Sequence, residues 1–170
     1  ERRHGPHNVS TMSSKAIKPI FRLATLADRT VLDAMIREYY VYDRHEIDEA
    51  IIRSSLDGAL VENHHIRIWI IEVEGQAAGY LAVAIGFTIE AGGNDGFLDE
   101  LYLREPFRGR GIGRQAVAFA ISACPALGIR RLSLEVERHN VRAKRLYEDI
   151  GFESHDRILM SHWIDGSEDT

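Results

Sequence analysis

The chain has 170 residues, enough for one domain that buries a self-sufficient core without disulfide or metal staples. Its 45% hydrophobic and 28% charged residues exclude disorder throughout, and a net charge of -5 argues against nucleic acid or anionic lipid as a partner. A single cysteine, Cys124, excludes an internal disulfide; no Cys/His set has zinc-ligand spacing, and no apolar run approaches the roughly 18 residues of a membrane span.

Residues 1–16 are rich in His, Ser and Arg without a hydrophobic period, and they are expected to form a disordered extension. His4 and His7 have no carboxylate or cysteine beside them, so a metal role is set aside for a solvated one. The start also lacks the apolar stretch of a secretory signal, which leads to the expectation of a reduced, cytoplasmic protein. A first strand is predicted over 17–23, followed by a helix capped by Thr25 or Asp28, with Val31, Leu32, Met35 and Ile36 one turn apart. Tyr39, Tyr40, Tyr42 and Asp43 close that helix, and a second helical stretch runs over 46–61.

The period then changes to that of strands. Residues 66–73 and 77–89 read as a hairpin around Glu74-Gly75-Gln76, and 92–96 as a glycine-rich loop. A strand over 97–104 ends at Glu105-Pro106, and a glycine-rich turn at 108–113 opens an apolar helix that should stop near Cys124-Pro125. A strand over 131–137 places Leu132, Leu134 and Val136 on one face. A helix over 140–150 is stopped by Gly151, a last strand follows over 157–164, and 165–170 is an acidic tail. The order β-α-α-β-β-β-α-β-α-β predicts an α/β domain over 17–164, its mixed parallel and antiparallel sheet flanked by helices.

The turn Arg108-Gly109-Arg110-Gly111-Ile112-Gly113-Arg114 is the most informative stretch. It joins a strand to a helix N-terminus, where main-chain N–H groups and the helix dipole favour an anion, and glycines let a phosphate come close. It is not a P-loop, because no Lys-Ser or Lys-Thr follows; nor is it a dinucleotide fingerprint, because its spacing is Gly-x-Gly-x-Gly and it comes late in the chain. Taken alone, it reads as an anion site or as a structural turn with solvated arginines.

A second block, with Asn140, Ala143, Leu146-Tyr147-Glu148 and Gly151-Phe152, follows about 30 residues later. Together the two blocks resemble the GNAT superfamily of acyl-CoA-dependent N-acyltransferases, whose Arg/Gln-x-x-Gly-x-Gly/Ala signature matches Arg108, Gly111 and Gly113. The resemblance spans roughly residues 20–164 and is sharp only over 99–152. It implies acetyl-CoA as cosubstrate, without metal, its pyrophosphate on the N–H groups of 108–114 and its pantetheine arm along Leu101, Tyr102 and Leu103. It further implies that the strands before and after the turn splay to admit that arm, and that an N–H near Leu101 or Tyr102 polarises the thioester carbonyl.

Tyr147 is placed by the resemblance near the sulfur. Its unperturbed pKa of about 10 lies above the 8.5 or so of a thiol, so protonating the leaving thiolate is downhill; the competing reading is an aromatic packed on the core. Asn140 is the helix cap, a pantetheine ligand, or both. Glu100 is chosen as the base, with Asp99 as runner-up, because alternation puts the two on opposite faces. Glu135 and Glu137 are read as meeting an acceptor cation or solvent, and Cys124 as a small buried residue. The expected activity is acetyl transfer to a cationic primary amine by direct attack in a ternary complex. A non-catalytic acyl-CoA-binding module is the alternative, and the family resemblance is compatible with a homodimer.

Overall fold

Five strands form one sheet in the order β1-β2-β3-β4-β5: Ile20–Leu23, Ile66–Val73, Gln76–Thr88, Gly93–Leu103 and Ile129–Leu134. The first four are antiparallel to their neighbours, and β5 runs parallel to β4 after a helical crossover. The computed structural model describes residues 17–44, 46, 48–61, 63–162 and 164. The expected extension and acidic tail lie outside them. Contacts group the chain into two units, Glu1–Glu135 and Val136–Thr170.

In the first unit, helices α1 (Arg29–Asp43) and α2 (Glu49–Leu60) pack on one sheet face. There Leu32, Met35 and Ile36 of α1 and Ile52 and Leu56 of α2 bury with Ile68, Ile70, Tyr80, Ala82 and Tyr102. Helix α3 (Ile112–Ala123) belongs to the other face, where Phe119 stacks on Phe21 at 4.4 Å and meets Trp69 edge-on at 5.5 Å. Pro125 ends α3 as expected: a 3-10 turn over Cys124–Leu127 follows, and Gly128 leads into β5.

The turn from β1 into α1 is closed by its own side chains. Asp28 accepts from the Thr25 N–H at 2.8 Å and from two Arg22 nitrogens at 2.9 Å each, while Arg22 also reaches Glu72 on β2 at 3.0 Å. Asp28 is only 8% exposed, and the Arg22 hydrogen bonds hold its carboxyl down at about 2.

Register decides what β4 offers. Between its hairpin end and Val83↔Leu98 the ladder keeps one frame, but Ala82 pairs with Glu100, so Asp99 is an extra residue. Leu98 and Glu100, two apart, therefore project to opposite faces. The bulge turns Glu100 and Tyr102 toward α1, and leaves Leu101 and Leu103 for the α3 side. Gly79 permits this close pairing, since a Cβ there would lie 2.0 Å from the Tyr102 carbonyl oxygen.

Several expectations are corrected. The first strand covers only Ile20–Leu23, and the supposed loop at 92–96 already belongs to β4 from Gly93, because ladders to β3 and β5 outweigh glycine's poor strand propensity. β5 ends at Leu134, so Glu135, Val136 and Glu137 are not strand residues. In the second unit, α4 (Val141–Ile150) forms with Asn140 as cap and Gly151 at its end, as expected. The predicted last strand is absent among the described residues of 157–164. There Ile158, Leu159 and Met160 are exposed in succession, a run without the alternation that one buried face demands.

Candidate active site

Helix α3 starts differently from α2 and α4. Asp48 accepts from the N–H groups of Ala50 and Ile51, and Asn140 Oδ1 accepts from Ala143 N–H at 3.1 Å. At α3 the cap is Gly111, without a side chain, and no acidic residue stands in the first turn. The N–H groups of Ile112 and Gly113 have no intrahelical acceptor, as at any helix start, and lie at the positive end of the dipole. Gly111 holds φ of 77°, which a branched residue enters only with strain, and a Cβ at Gly109 or Gly111 would meet no atom within 4 Å. The turn is open where a phosphate would approach.

Of the arginines, Arg108 is turned inward. Its Nε donates to the Leu103 carbonyl at 2.7 Å, and its guanidinium lies 4.0 Å from the Tyr42 ring centroid and 5.5 Å from that of Tyr102. It ties the turn to the end of β4. Arg110 reaches the Pro106 carbonyl at 3.5 Å and, like Arg114, is exposed.

The strand before the turn is paired on one side only over its second half. The β4–β5 ladder runs from Asn94↔Ile129 to Leu98↔Leu134 and stops at the bulge. Beyond it, Arg104 N–H donates to the Ala78 carbonyl at 2.8 Å, which fixes the alternation: Glu100 and Tyr102 bond toward β3, while Leu101 and Leu103 present their main chain to the side that β5 has left. Arg108 occupies the Leu103 carbonyl, so Leu101 offers the open pair. Of the two residues expected to supply an oxyanion donor, Leu101 faces the gap and Tyr102 does not.

On the opposite face of the same segment lies a cluster of tyrosines and carboxylates. Glu100 accepts from the Tyr80 hydroxyl at 2.7 Å and from that of Tyr40 at 3.4 Å. Glu38 accepts from the Tyr102 hydroxyl at 3.2 Å and from two Arg104 nitrogens at 3.0 and 2.9 Å. Tyr39 packs against Tyr40 and Tyr102, with ring centroids 5.9 and 5.8 Å away. Burial, then nearby carboxylates, pushes Tyr39 and Tyr40 up to about 12, and burial drives Tyr80 far higher. Asp99 carries a raised carboxyl from partial dehydration, although its side chain is solvent-accessible. Tyr80 and Glu38 do not stand out in the sequence. A lone tyrosine inside the apolar run of β3, needing a partner for its hydroxyl, is the one signal that points to Tyr80.

In the second unit, Tyr147 is half-buried on α4, its ring edge-on to Phe152 at 5.9 Å, and burial raises its pKa. Gly151 and Phe152 N–H groups both return to the Tyr147 carbonyl, at 3.2 and 3.0 Å, closing the helix. Among the described residues, no group of His, Cys, Asp and Glu has the arrangement of a metal site, and no helix is long and apolar enough to cross a membrane.

The model of the Acetyltransferase (GNAT) family matches residues 29–152. An uncharacterized N-acetyltransferase of Bacillus subtilis, YycN, is 34% identical over 100 residues, 58% of this chain and 63% of that protein, so the matched region spans under two thirds of this relative's length. An integron cassette protein from the mobile metagenome of Cole Harbour Salt Marsh superposes with a TM-score of 0.75 at 27% identity, over 86% of this chain and 91% of that one. AAC(6')-Iy, solved with the bisubstrate analog CoA-S-monomethyl-acetylneamine, superposes with a TM-score of 0.73 over 86% of this chain and 99% of its own; at 15% identity it shares the fold alone.

Proposed function

The chain belongs to the GNAT acetyltransferase family, and on that premise we propose that it transfers an acetyl group from acetyl-CoA to a cationic primary amine by direct attack in a ternary complex. The observation that carries this reading is the junction of β4 and α3. An uncapped helix start free of acidic residues lies at the end of a strand whose other edge is unpaired from Asp99 onward. The first suits a pyrophosphate, held by N–H groups of 108–114 and by the charges of Arg110 and Arg114. The second suits a pantetheine arm hydrogen-bonded like a strand to Leu101, whose N–H would also stabilise the oxyanion of the attacked thioester. A structural neighbour solved with a conjugate of CoA and an aminoglycoside supports a fold that brings donor and amine together.

The amine arrives protonated and must lose a proton before it attacks. Glu100 takes that proton, and Asp99 and Asp43 add negative potential that draws an ammonium in while holding it charged. The amine lone pair then attacks the thioester carbon, the C–S bond breaks, the thiolate of CoA leaves with a proton from Tyr147, and the second proton lost by the nitrogen as the amide forms returns Tyr147 to its phenol. A tyrosine raised by burial stays protonated at neutral pH, as a donor requires. Asn140, committed through Oδ1 to the α4 cap, serves pantetheine only with its remaining groups.

The test is turnover. Acetyl-CoA is offered with a polyamine, an aminoglycoside, an amino acid and a peptide N-terminus, and both free thiol and acetylated amine are measured. Tyr147→Phe should lower turnover by roughly 10²–10⁴-fold with acetyl-CoA affinity near wild type. Full turnover in that variant assigns the proton to water or another group; donor binding without transfer to any amine favours the non-catalytic alternative.

A further inference from the structure

Glu100 is held from two elements. Ala82 faces it directly across the β3–β4 ladder and is too small to touch its carboxylate, while Tyr80 occupies the diagonal position two residues along β3. Tyr80 has no solvent exposure, and its hydroxyl donates to Oε2 at 2.7 Å; Tyr40 of α1 donates to Oε1 at 3.4 Å. Each oxygen thus meets one phenol. A phenol this deeply buried keeps its proton at every working pH and acts toward Glu100 only as a donor. The arrangement exists because the extra residue at Asp99 turns Glu100 onto this face.

We propose that Tyr80 is a positioning residue for the transfer reaction: its hydroxyl keeps the Glu100 carboxylate ionised and fixes the direction from which that carboxylate meets the ammonium of the acceptor. This rests on the reading of Glu100 as the base and assigns the group that orients it. The groups facing Glu100 among the described residues include Tyr39 and Tyr40 from α1, Tyr80 from β3 and, beside it on β4, Asp99. The Asp99 charge opposes ionisation of a neighbouring carboxylate, whereas phenol hydrogen bonds favour it. Loss of the shorter phenol bond therefore tips Glu100 toward its protonated form, and the acid limb of the activity profile moves to higher pH.

The experiment has one arm that needs no acceptor. Protein labelled with [13Cδ]glutamate is titrated by NMR, with the Glu100 signal identified by its loss in Glu100→Gln. Tyr80→Phe should raise the Glu100 midpoint by about one pH unit, as expected for a hydrogen bond to a charged group, and Tyr40→Phe should raise it less. In the second arm, the acid limb of kcat/KM for an amine that is turned over should move with that midpoint. An unmoved midpoint in Tyr80→Phe overturns the proposal, whatever happens to the melting temperature. If Tyr80→Phe does not fold, an unmoved midpoint in Tyr40→Phe overturns the two-phenol grip on which the proposal stands. A midpoint that moves while Glu100→Gln leaves the acid limb untouched overturns the reading of Glu100 as base, and with it the purpose assigned to Tyr80.

Discussion

Two strand-to-helix turns in this chain solve the same problem in opposite ways. From β1 into α1, the chain spends a carboxylate on itself: Asp28 binds the Thr25 N–H and draws in Arg22, which reaches on to β2. From β4 into α3, glycine stands at the cap and no acid follows, so no side chain of the cap or first turn takes up the N–H groups of Ile112 and Gly113. The first turn contributes stability and has no capacity left for a ligand. The second gives up that stability and is completed by what binds it. A helix start without its own cap, in a chain that caps others with side chains, is where an anion belongs.

The contrast can be broken by experiment, beginning with the closed turn. Asp28→Ala leaves Arg22 without its bidentate partner at a nearly buried position and should cost about 2–3 kcal/mol of stability, measured by urea unfolding, with acetyl-CoA affinity unchanged. An equal loss of donor affinity would show the two turns to be coupled.

The same carboxyl sets an acid limit. Its folded pKa of about 2 lies below the 3.9 or so of an unfolded aspartate, so its contribution of about 2 kcal/mol is complete above roughly pH 4 and is lost as pH falls toward 2. Stability curves of wild type and Asp28→Asn should converge over that window. Curves that stay parallel would assign the stabilisation elsewhere.

At the open turn the effects fall on binding. Gly111→Val introduces a branched Cβ at φ of 77°, in the space beside the helix start, and should weaken acetyl-CoA at least about tenfold, near 1.4 kcal/mol, by calorimetry on folded protein. Unchanged affinity would remove the pyrophosphate from this turn. The smallest effect is expected for Arg114→Gln, an exposed charge: a loss of affinity of about twofold to fivefold that fades as salt is raised. A loss that persists in high salt would mean a buried, direct contact.

The difference between the turns also explains what could be read in advance. The open turn is made of neighbouring residues, Arg108 to Arg114, and the end of α3 is written in Cys124-Pro125, so both are local and legible. The face around Glu100 is assembled from Tyr40, Tyr80 and Glu100, which are 60 and 20 positions from one another's partner, and no window of sequence contains it. Its assembly further depends on the bulge at Asp99, which nothing in Phe97-Leu98-Asp99-Glu100 announces. Alternation separates Asp99 from Glu100 but does not say which face each takes. Tyr147 was legible as a candidate only through the family's second block, since its own surroundings are those of any aromatic on a helix packed beside a phenylalanine.

The extra residue in β4 works like a change of reading frame. Upstream of it, the strand is spelled in the frame of its hairpin; downstream, every side chain is shifted by one, and it is the shifted half that carries Glu100, Leu101 and Tyr102. Substitutions within either half alter one letter at a time. Deleting Asp99 would heal the bulge and leave Leu98 opposite Val83 and Glu100 opposite Ala82, each on its present face, whereas deleting Leu101 would carry Tyr102 off the tyrosine face. The part of this strand most tolerant of a deletion is thus the bulge residue, whose own side chain is exposed, and in a comparison of relatives a gap there would say less about lost chemistry than a gap at the positions that follow it.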